Sequence, residues 1–226
     1  MNDRPWMPPA DASARAAALL AGDPLHDHPD VRTFFGDRFP IVLHFAQLLA
    51  VEGETRGLLG PREYDRLWER HILNSAAVVQ FLPPGSIADV GSGAGLPGLV
   101  VAAMEPERHV LLVEPMERRV TWLRDAVGAL ELPNVEVVRG RAEEVGIEVD
   151  VVTARAVAAI DKLVKWCSPL LAERGTMVLL KGRSAGEELD RAKYALRKAK
   201  LTGEVLEATT LPTLEPTTVV RLKRIS

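Results

Sequence analysis

An α/β architecture is predicted, a doubly wound and mostly parallel twisted sheet with helices on both faces and a helical N-terminal extension, and three observations predict it. From residue 86 onward, short β-rich runs alternate with helical stretches. Such alternation implies crossover units and a parallel sheet covered on both sides. The stretch "ADVGSGAGLPGLVVAAMEP" (88–106) places a glycine cluster directly behind the first run, where a doubly wound sheet turns tightly beneath a ligand. Residues 25–82, by contrast, carry helical spacing and no strand-like run.

Taken in order, residues 1–24 are rich in Pro, Ala and Asp and read as a flexible arm. In "FPIVLHFAQLLAVEG", Ile41, Phe45 and Leu48 follow helical spacing and Gly53 closes the segment. In "GPREYDRLWERHILNSAAVVQF", Pro61 suits a first helical turn, and Tyr64, Trp68, His71 and Ser75 share one stripe. "LPPGS" (82–86) marks a boundary, which divides the chain into an arm (1–24), a helical region (25–82) and an α/β domain (83–226). The strands are "SIADV" (86–90), "HVLLVE" (109–114), "VEVVRG" (135–140), "VDVVTA" (149–154) and "GTMVLLKG" (175–182). Met116, Val120, Leu123, Val127 and Leu130 form the cleanest helical stripe. The ending "PTTVVRLKRI" has no helix before it and reads as a late, antiparallel strand.

The 226 residues, 47% hydrophobic, suffice for a full core. No apolar run approaches the ~20 residues that span a bilayer, and the N-terminus lacks a signal-peptide pattern. A soluble, monomeric, cytoplasmic protein without membrane or metal partners is expected. The single cysteine, Cys167, excludes an intrachain disulfide and a cysteine metal cluster, and in "LVKWCSPLL" it reads as a buried structural thiol. The net charge of −3 argues against indiscriminate nucleic-acid binding. It conceals a basic stretch, however: residues 181–200 hold seven lysines and arginines against three acids, and "VVRLKRIS" adds Arg221, Lys223 and Arg224. A solvated helix face and an RNA-facing surface fit that stretch equally well.

The glycine cluster has two registers. From Gly93 it spells G-x-G-x-x-G, the dinucleotide fingerprint, and from Gly91 it spells G-x-G-x-G. The first glycine of a cofactor turn follows its strand directly, and Gly91 does so, whereas Gly93 starts two residues late. Pro97, which would fall between the last two glycines of the late register, fits better as an early helix residue. The turn from Gly91 through Gly93 and Gly95 resembles the loop of Rossmann-like methyltransferases that use S-adenosylmethionine. There glycines admit the ligand, Asp89 orients the loop or faces the sulfonium, and the helix N-terminus meets a carboxylate. Glu114, at the end of the second strand, suits the two ribose hydroxyls. "RGRAEEV" alone reads as an ordinary capped turn, but it resembles the methyltransferase loop that holds the adenine, with Ala142 and Glu143 as the candidates.

"ERHILNS", "IADVGSGAGLPG", "ERRVTWL", "RGRAEE", "TARAVA" and "LLKG" occur in this order between residues 30 and 185. Their combination resembles the glucose-inhibited division protein B family, which methylates N7 of a guanine in bacterial small-subunit (16S) ribosomal RNA. The resemblance implies a Rossmann-like class I methyltransferase fold and S-adenosylmethionine as cofactor, held at Gly91, Leu96, Ala142, Glu143 and Arg155 with Glu114 at the ribose. It implies ribosomal RNA of the small subunit, or its assembly particle, as partner. Asn74 and Glu114 depart from the aspartates common in that family.

Guanine N7 carries an in-plane lone pair and no proton, so the transfer needs alignment at ~3–3.5 Å rather than a general base. Arg155, Arg141 and His71 are the substrate-proximal candidates, although His71 also reads as a core or interdomain histidine. Arg118, Arg119, Arg139, Arg141 and Lys181, all just after strand ends, are candidates for RNA, joined by Lys193, Arg197 and Lys198 of the basic stretch. The rival readings are a nicotinamide oxidoreductase on the late register, a methyltransferase of another substrate class, and a non-catalytic RNA-binding protein with a vestigial cofactor site. Intact Gly91, Glu114 and Arg155 count against the last.

Overall fold

A computed structural model describes residues 12–225. Helices α1 (Ala12–Leu20), α2 (Pro29–Phe35) and α3 (Phe39–Glu52) precede an irregular helical segment that contains the short α4 (Asn74–Ala76). There follow β1 (Ile87–Val90), α5 (Gly98–Met104), β2 (Val110–Glu114), α6 (Glu117–Ala129) and β3 (Val135–Arg139). A 3-10 turn (Ala142–Glu144) leads to β4 (Val149–Arg155), α7 (Ile160–Cys167) and β5 (Leu171–Leu180). The chain ends through α8 (Ala185–Arg191), α9 (Lys193–Lys198), β6 (Leu201–Ala208) and β7 (Thr217–Arg224).

The seven strands form one sheet in the order β3-β2-β1-β4-β5-β7-β6. The first five neighbours pair in parallel, and β7 runs antiparallel to both β5 and β6. Alternate strand residues feed two cores, as the period of two requires. Ile87, Val110, Leu112, Val151 and Val178 pack on one face with α3, α5 and α6. Ala88, Val90, Leu111, Val113, Val152 and Met177 pack on the other with α7, α8 and α9. Cys167 is fully buried there, and burial pushes its thiol up to about 12, so it is an inert packing residue.

Four sequence expectations change. The arm expected over 1–24 holds a helix at 12–20, with Ala16 and Leu20 fully buried and the Asp23 carboxylate almost so; the rest of that expectation, residues 1–11, lies outside the described residues. No break in packing falls at residue 82, because Leu20, Phe45 and Trp68 share a core with Leu99, Leu112 and Val178. The stretch Pro29–Glu52 is apolar and long enough to cross a membrane by composition, contrary to expectation. It is, however, two helices broken by a 3-10 turn, half buried against the core. Finally, residues 61–81 do not form one regular helix. A 3-10 turn (Pro61–Arg66), a π-turn (Trp68–Leu73), α4 and a second 3-10 turn (Ala77–Phe81) follow one another. The cause is visible at Trp68, whose N–H donates to Asp23 Oδ2 (2.8 Å) and whose indole N–H donates to His26 Nδ1 (3.2 Å).

The strand β6 was not expected. Its sequence, "LTGEVLEA", carries two acids and a glycine. As an edge strand it buries only its two ends fully, so a two-residue hydrophobic period never develops.

Candidate active site

The order of the sheet reverses between β1 and β4, and open α/β sheets bind ligands at that point, beyond the C-terminal strand ends. Two loops meet there: the glycine turn after β1 and residues 156–158 after β4. Gly91 adopts φ +70°, and a Cβ on it would come within 2.7 Å of Val157. Both facts require glycine.

Two buried carboxylates hold the turn from below. Asp89 is completely buried and its Oδ2 accepts the Gly98 N–H (3.0 Å), the first helical donor of α5. Its Oδ1 has no partner. Burial raises this carboxyl to about 7, against the pull of the Gly98 bond and of Arg155. Of the two roles open to Asp89 from sequence, orienting the loop is the one its contacts serve. At the N-terminus of α5, the Gly98 N–H is taken by Asp89. Pro97 precedes that helix as its cap rather than lying within its first turn. Gly98 has to be glycine because a Cβ would press on Leu112 and come within 2.6 Å of Asp89.

Glu114, 1% exposed, accepts the N–H of Gly93 on Oε2 (2.9 Å) and that of Met116 on Oε1 (2.9 Å). Arg119 Nη1 lies 3.9 Å from the same Oε2. The carboxylate expected at a ribose is thus also the tie between the β2 end and the glycine turn.

Two clefts open on either side of Gly91. The larger, about 220 Å³, is lined by Val90, Val113, Pro115, Ala142, Val157 and Trp166, with Gly140, Arg141 and Glu143 at its wall. The smaller, about 160 Å³, is polar and lined by Gly91, Ser92, Gly93, Leu96, Arg119 and Arg155 among others. The structure therefore brings Gly91, Gly93, Leu96, Ala142, Glu143 and Arg155 together. It leaves Asp89 and Glu114 beneath the turn, and Gly95 against Leu99 and Phe45. The apolar walls Val157 and Trp166 gave no sequence signal, since a half-buried tryptophan on α7 reads as ordinary packing.

Arg155, at the end of β4, donates through Nη1 to the carbonyl of Arg70 (3.1 Å) and through Nη2 to His71 Nδ1 (3.2 Å). Desolvation, offset by Asp89, keeps its guanidinium below the usual arginine range. His71 Nε2 lies 2.7 Å from Glu63 Oε2. Burial and the facing Arg155 hold the imidazole below its ordinary value, against the pull of Glu63. His71 is largely buried and links Glu63 of the helical segment to Arg155 at the end of β4.

The basic candidates divide. Arg118 is exposed on α6 with its guanidinium near Gly57, in the loop after α3, and Arg141 is exposed at the wall of the apolar cleft. Arg139 pairs with Glu117 at 3.3 Å on the surface, where such pairs are weak. Lys181 does not face solvent as an RNA contact would: its Nζ lies 2.7 Å from Glu188 and donates to the Ala158 carbonyl (3.0 Å), bracing the loop after β4. Lys193, Arg197 and Lys198 lie on α9, just before β6 starts at Leu201, which pairs with Arg224. Arg224 in turn donates to the carbonyls of Ser168 and Leu171 at the N-terminal end of β5. The basic C-terminal stretch therefore sits at the sheet edge opposite the glycine turn. Tyr194 and Lys198 have the Tyr-x-x-x-Lys spacing of an oxidoreductase relay, but they line a groove between α7 and α9 that contains no residue of the turn.

The reversal point, the early glycine register and the antiparallel β7 define a Rossmann-like methyltransferase. The model of the family described as rRNA small subunit methyltransferase G matches residues 39–213, and the chain belongs to that family. It is 50% identical over 204 residues to the ribosomal RNA small subunit methyltransferase G of Salinispora arenicola, covering 85% of this chain and 84% of that one. With the protein of the same name from Leifsonia xyli it shares 52% over 171 residues, 75% and 82% of the two chains. Among solved structures, a SAM dependent methyltransferase from Aquifex aeolicus superposes with a TM-score of 0.55 at 17% identity, over 71% of this chain and 94% of that one, which shows the shared fold.

Proposed function

We propose that this chain transfers a methyl group from S-adenosylmethionine to N7 of a guanine in small-subunit ribosomal RNA. The observation that carries the reading is the pair of clefts meeting at Gly91, one apolar, the other polar with two arginines. The first suits a purine and the second an amino-acid carboxylate, and the residues present fit the cofactor. When bound, S-adenosylmethionine supplies an electrophilic methyl on a positively charged sulfur.

The chain's own residues bind and orient. Val90, Val113, Ala142 and Trp166 would hold the adenine, with the Ala142 backbone and Glu143 offering it polar groups. Glu114, while holding the Gly93 N–H, keeps lone pairs for the ribose. Arg119 and Arg155, which line the polar cleft, would hold the carboxylate. N7 loses no proton, so no residue has to remove one. Arg141, exposed at the wall of the apolar cleft, and Arg118, exposed on α6, meet the RNA backbone and hold a base that must be unstacked to enter. A cytoplasmic location follows from a ribosomal substrate.

The test incubates the protein with labelled-methyl cofactor and unmethylated small subunits, then treats the extracted RNA with borohydride and aniline. N7-methylguanine yields a cleavable site under that treatment. Cleavage at a labelled guanine is the expected result. Label without cleavage would place the methyl on another atom, and label absent from RNA would remove the RNA assignment.

A further inference from the structure

We propose that Glu63 and His71 are positioning residues that hold the Arg155 guanidinium in place at the glycine-turn cleft. Three contacts in series carry the inference: Glu63 Oε2 to His71 Nε2 (2.7 Å), His71 Nδ1 to Arg155 Nη2 (3.2 Å), and Arg155 Nη1 to the Arg70 carbonyl (3.1 Å). A guanidinium only donates, so Nδ1 has to present a lone pair and the ring proton has to sit on Nε2. Glu63 accepts a hydrogen bond from that N–H and so selects the tautomer that can receive Arg155. The same logic operates where a carboxylate fixes the tautomer of a functional histidine.

The local backbone is built for this geometry. His71 lies in the π-turn Trp68–Leu73, and such turns interrupt helices often at functional sites. Its side chain is 13% exposed and that of Glu63 28%, so water competes weakly for the two bonds. Arg155 spans from this segment to the small polar cleft, and its two bonds to Arg70 and His71 fix the plane of its fork. The N-terminal helical segment is, in this account, part of the site: it aims an arginine that the sheet alone would leave free to rotate. The inference rests on the cofactor reading of that cleft only for its consequence, not for its geometry.

The test has two arms. Nitrogen NMR of the full-length protein should show His71 as the neutral Nε2–H tautomer; an Nδ1–H tautomer would overturn the inference whatever the protein methylates. In the second arm, His71→Leu, His71→Asn and Arg155→Lys are compared for adenosylhomocysteine binding and for kcat and KM on small subunits. Asn keeps an acceptor where Nδ1 stands, whereas Leu does not. His71→Leu should weaken the measured function on the order of 10- to 100-fold, as a misaimed group does, and His71→Asn should recover most of it. In the Arg155→Lys background His71→Leu should add little. Equal, independent losses in both backgrounds would make His71 a packing residue and sink the proposal. A wild-type protein that fails to methylate RNA would instead remove the functional reading, leaving the tautomer and binding results to decide this one.

Discussion

Replacing Glu114 by Ala deletes two acceptors at once. The Gly93 N–H loses its only partner beneath the turn, and the Met116 N–H loses the bond that starts α6. A hydrogen bond to a charged group contributes about 1.5–3 kcal/mol. Met116 is exposed enough for water to replace part of its share, whereas the carboxylate itself is 1% exposed. The net loss in stability should therefore be about 3 kcal/mol, with a fall in Tm of roughly 10 °C for a chain of this size. Urea titration reads the first quantity, and calorimetric titration with adenosylhomocysteine reads the accompanying loss of affinity. From sequence alone Glu114 is a ligand contact, and the variant should bind weakly with its fold intact. The structure predicts that both fall together, because the turn is no longer held. An unchanged urea midpoint beside a weakened affinity would refute the role of Glu114 as a tie.

Asp89 should make stability fall as pH rises. Its folded value near 7 lies above its ordinary 3.8, so the native state holds the proton more tightly; the contribution is complete below the unfolded value and is lost as pH climbs through 7. The size is up to about 4 kcal/mol, and Asp89→Asn, which keeps an acceptor for Gly98, should flatten this part of a urea-midpoint profile between pH 4 and 8; a profile identical to wild type would exclude the assignment. On the RNA side, reversing Arg118 and Arg141 to Glu should weaken RNA binding and reduce its salt slope by about 1.5. Reversing Lys193, Arg197 and Lys198, at the opposite sheet edge, should change the slope less and leave adenosylhomocysteine affinity alone. The reverse ranking in a filter-binding salt series would move the RNA to the α9 side.

The parallel strands were legible because buried β-runs between helices leave continuous apolar stretches, and the early glycine register was legible because a turn has to begin where its strand ends. What escaped was direction. A sequence places Asp89 and Glu114 at strand ends but does not say whether a carboxylate points up to a ligand or down to backbone donors, and here Asp89 accepts the N–H of Gly98 and Glu114 those of Gly93 and Met116. The basic stretch shows a related limit: charge counted along the chain does not say where in the fold it lands, and here Lys181 braces the loop after β4 while β7, antiparallel to β5, brings Arg224 to the N-terminal end of β5.

The largest gap lay in the N-terminal third, and it has one physical cause. Its helices were expected to form a separate region because "LPPGS" interrupts the pattern. A proline-rich interruption ends a helix but does not end a core, and Phe45 and Trp68 pack with Leu99 and Leu112 across it. Once those residues share a core, the polar groups on the same segment are fixed relative to the sheet to within a fraction of an ångström. That rigidity is what allows Glu63 and His71 to set the position of an arginine eighty-four residues further along the chain. A loosely tethered helical arm could bury apolar surface equally well, but it could not hold a 2.7 Å carboxylate–imidazole contact in register with a strand end. The shared core and the aimed arginine are one design, and cutting the segment away should cost the site its geometry as well as the protein its stability.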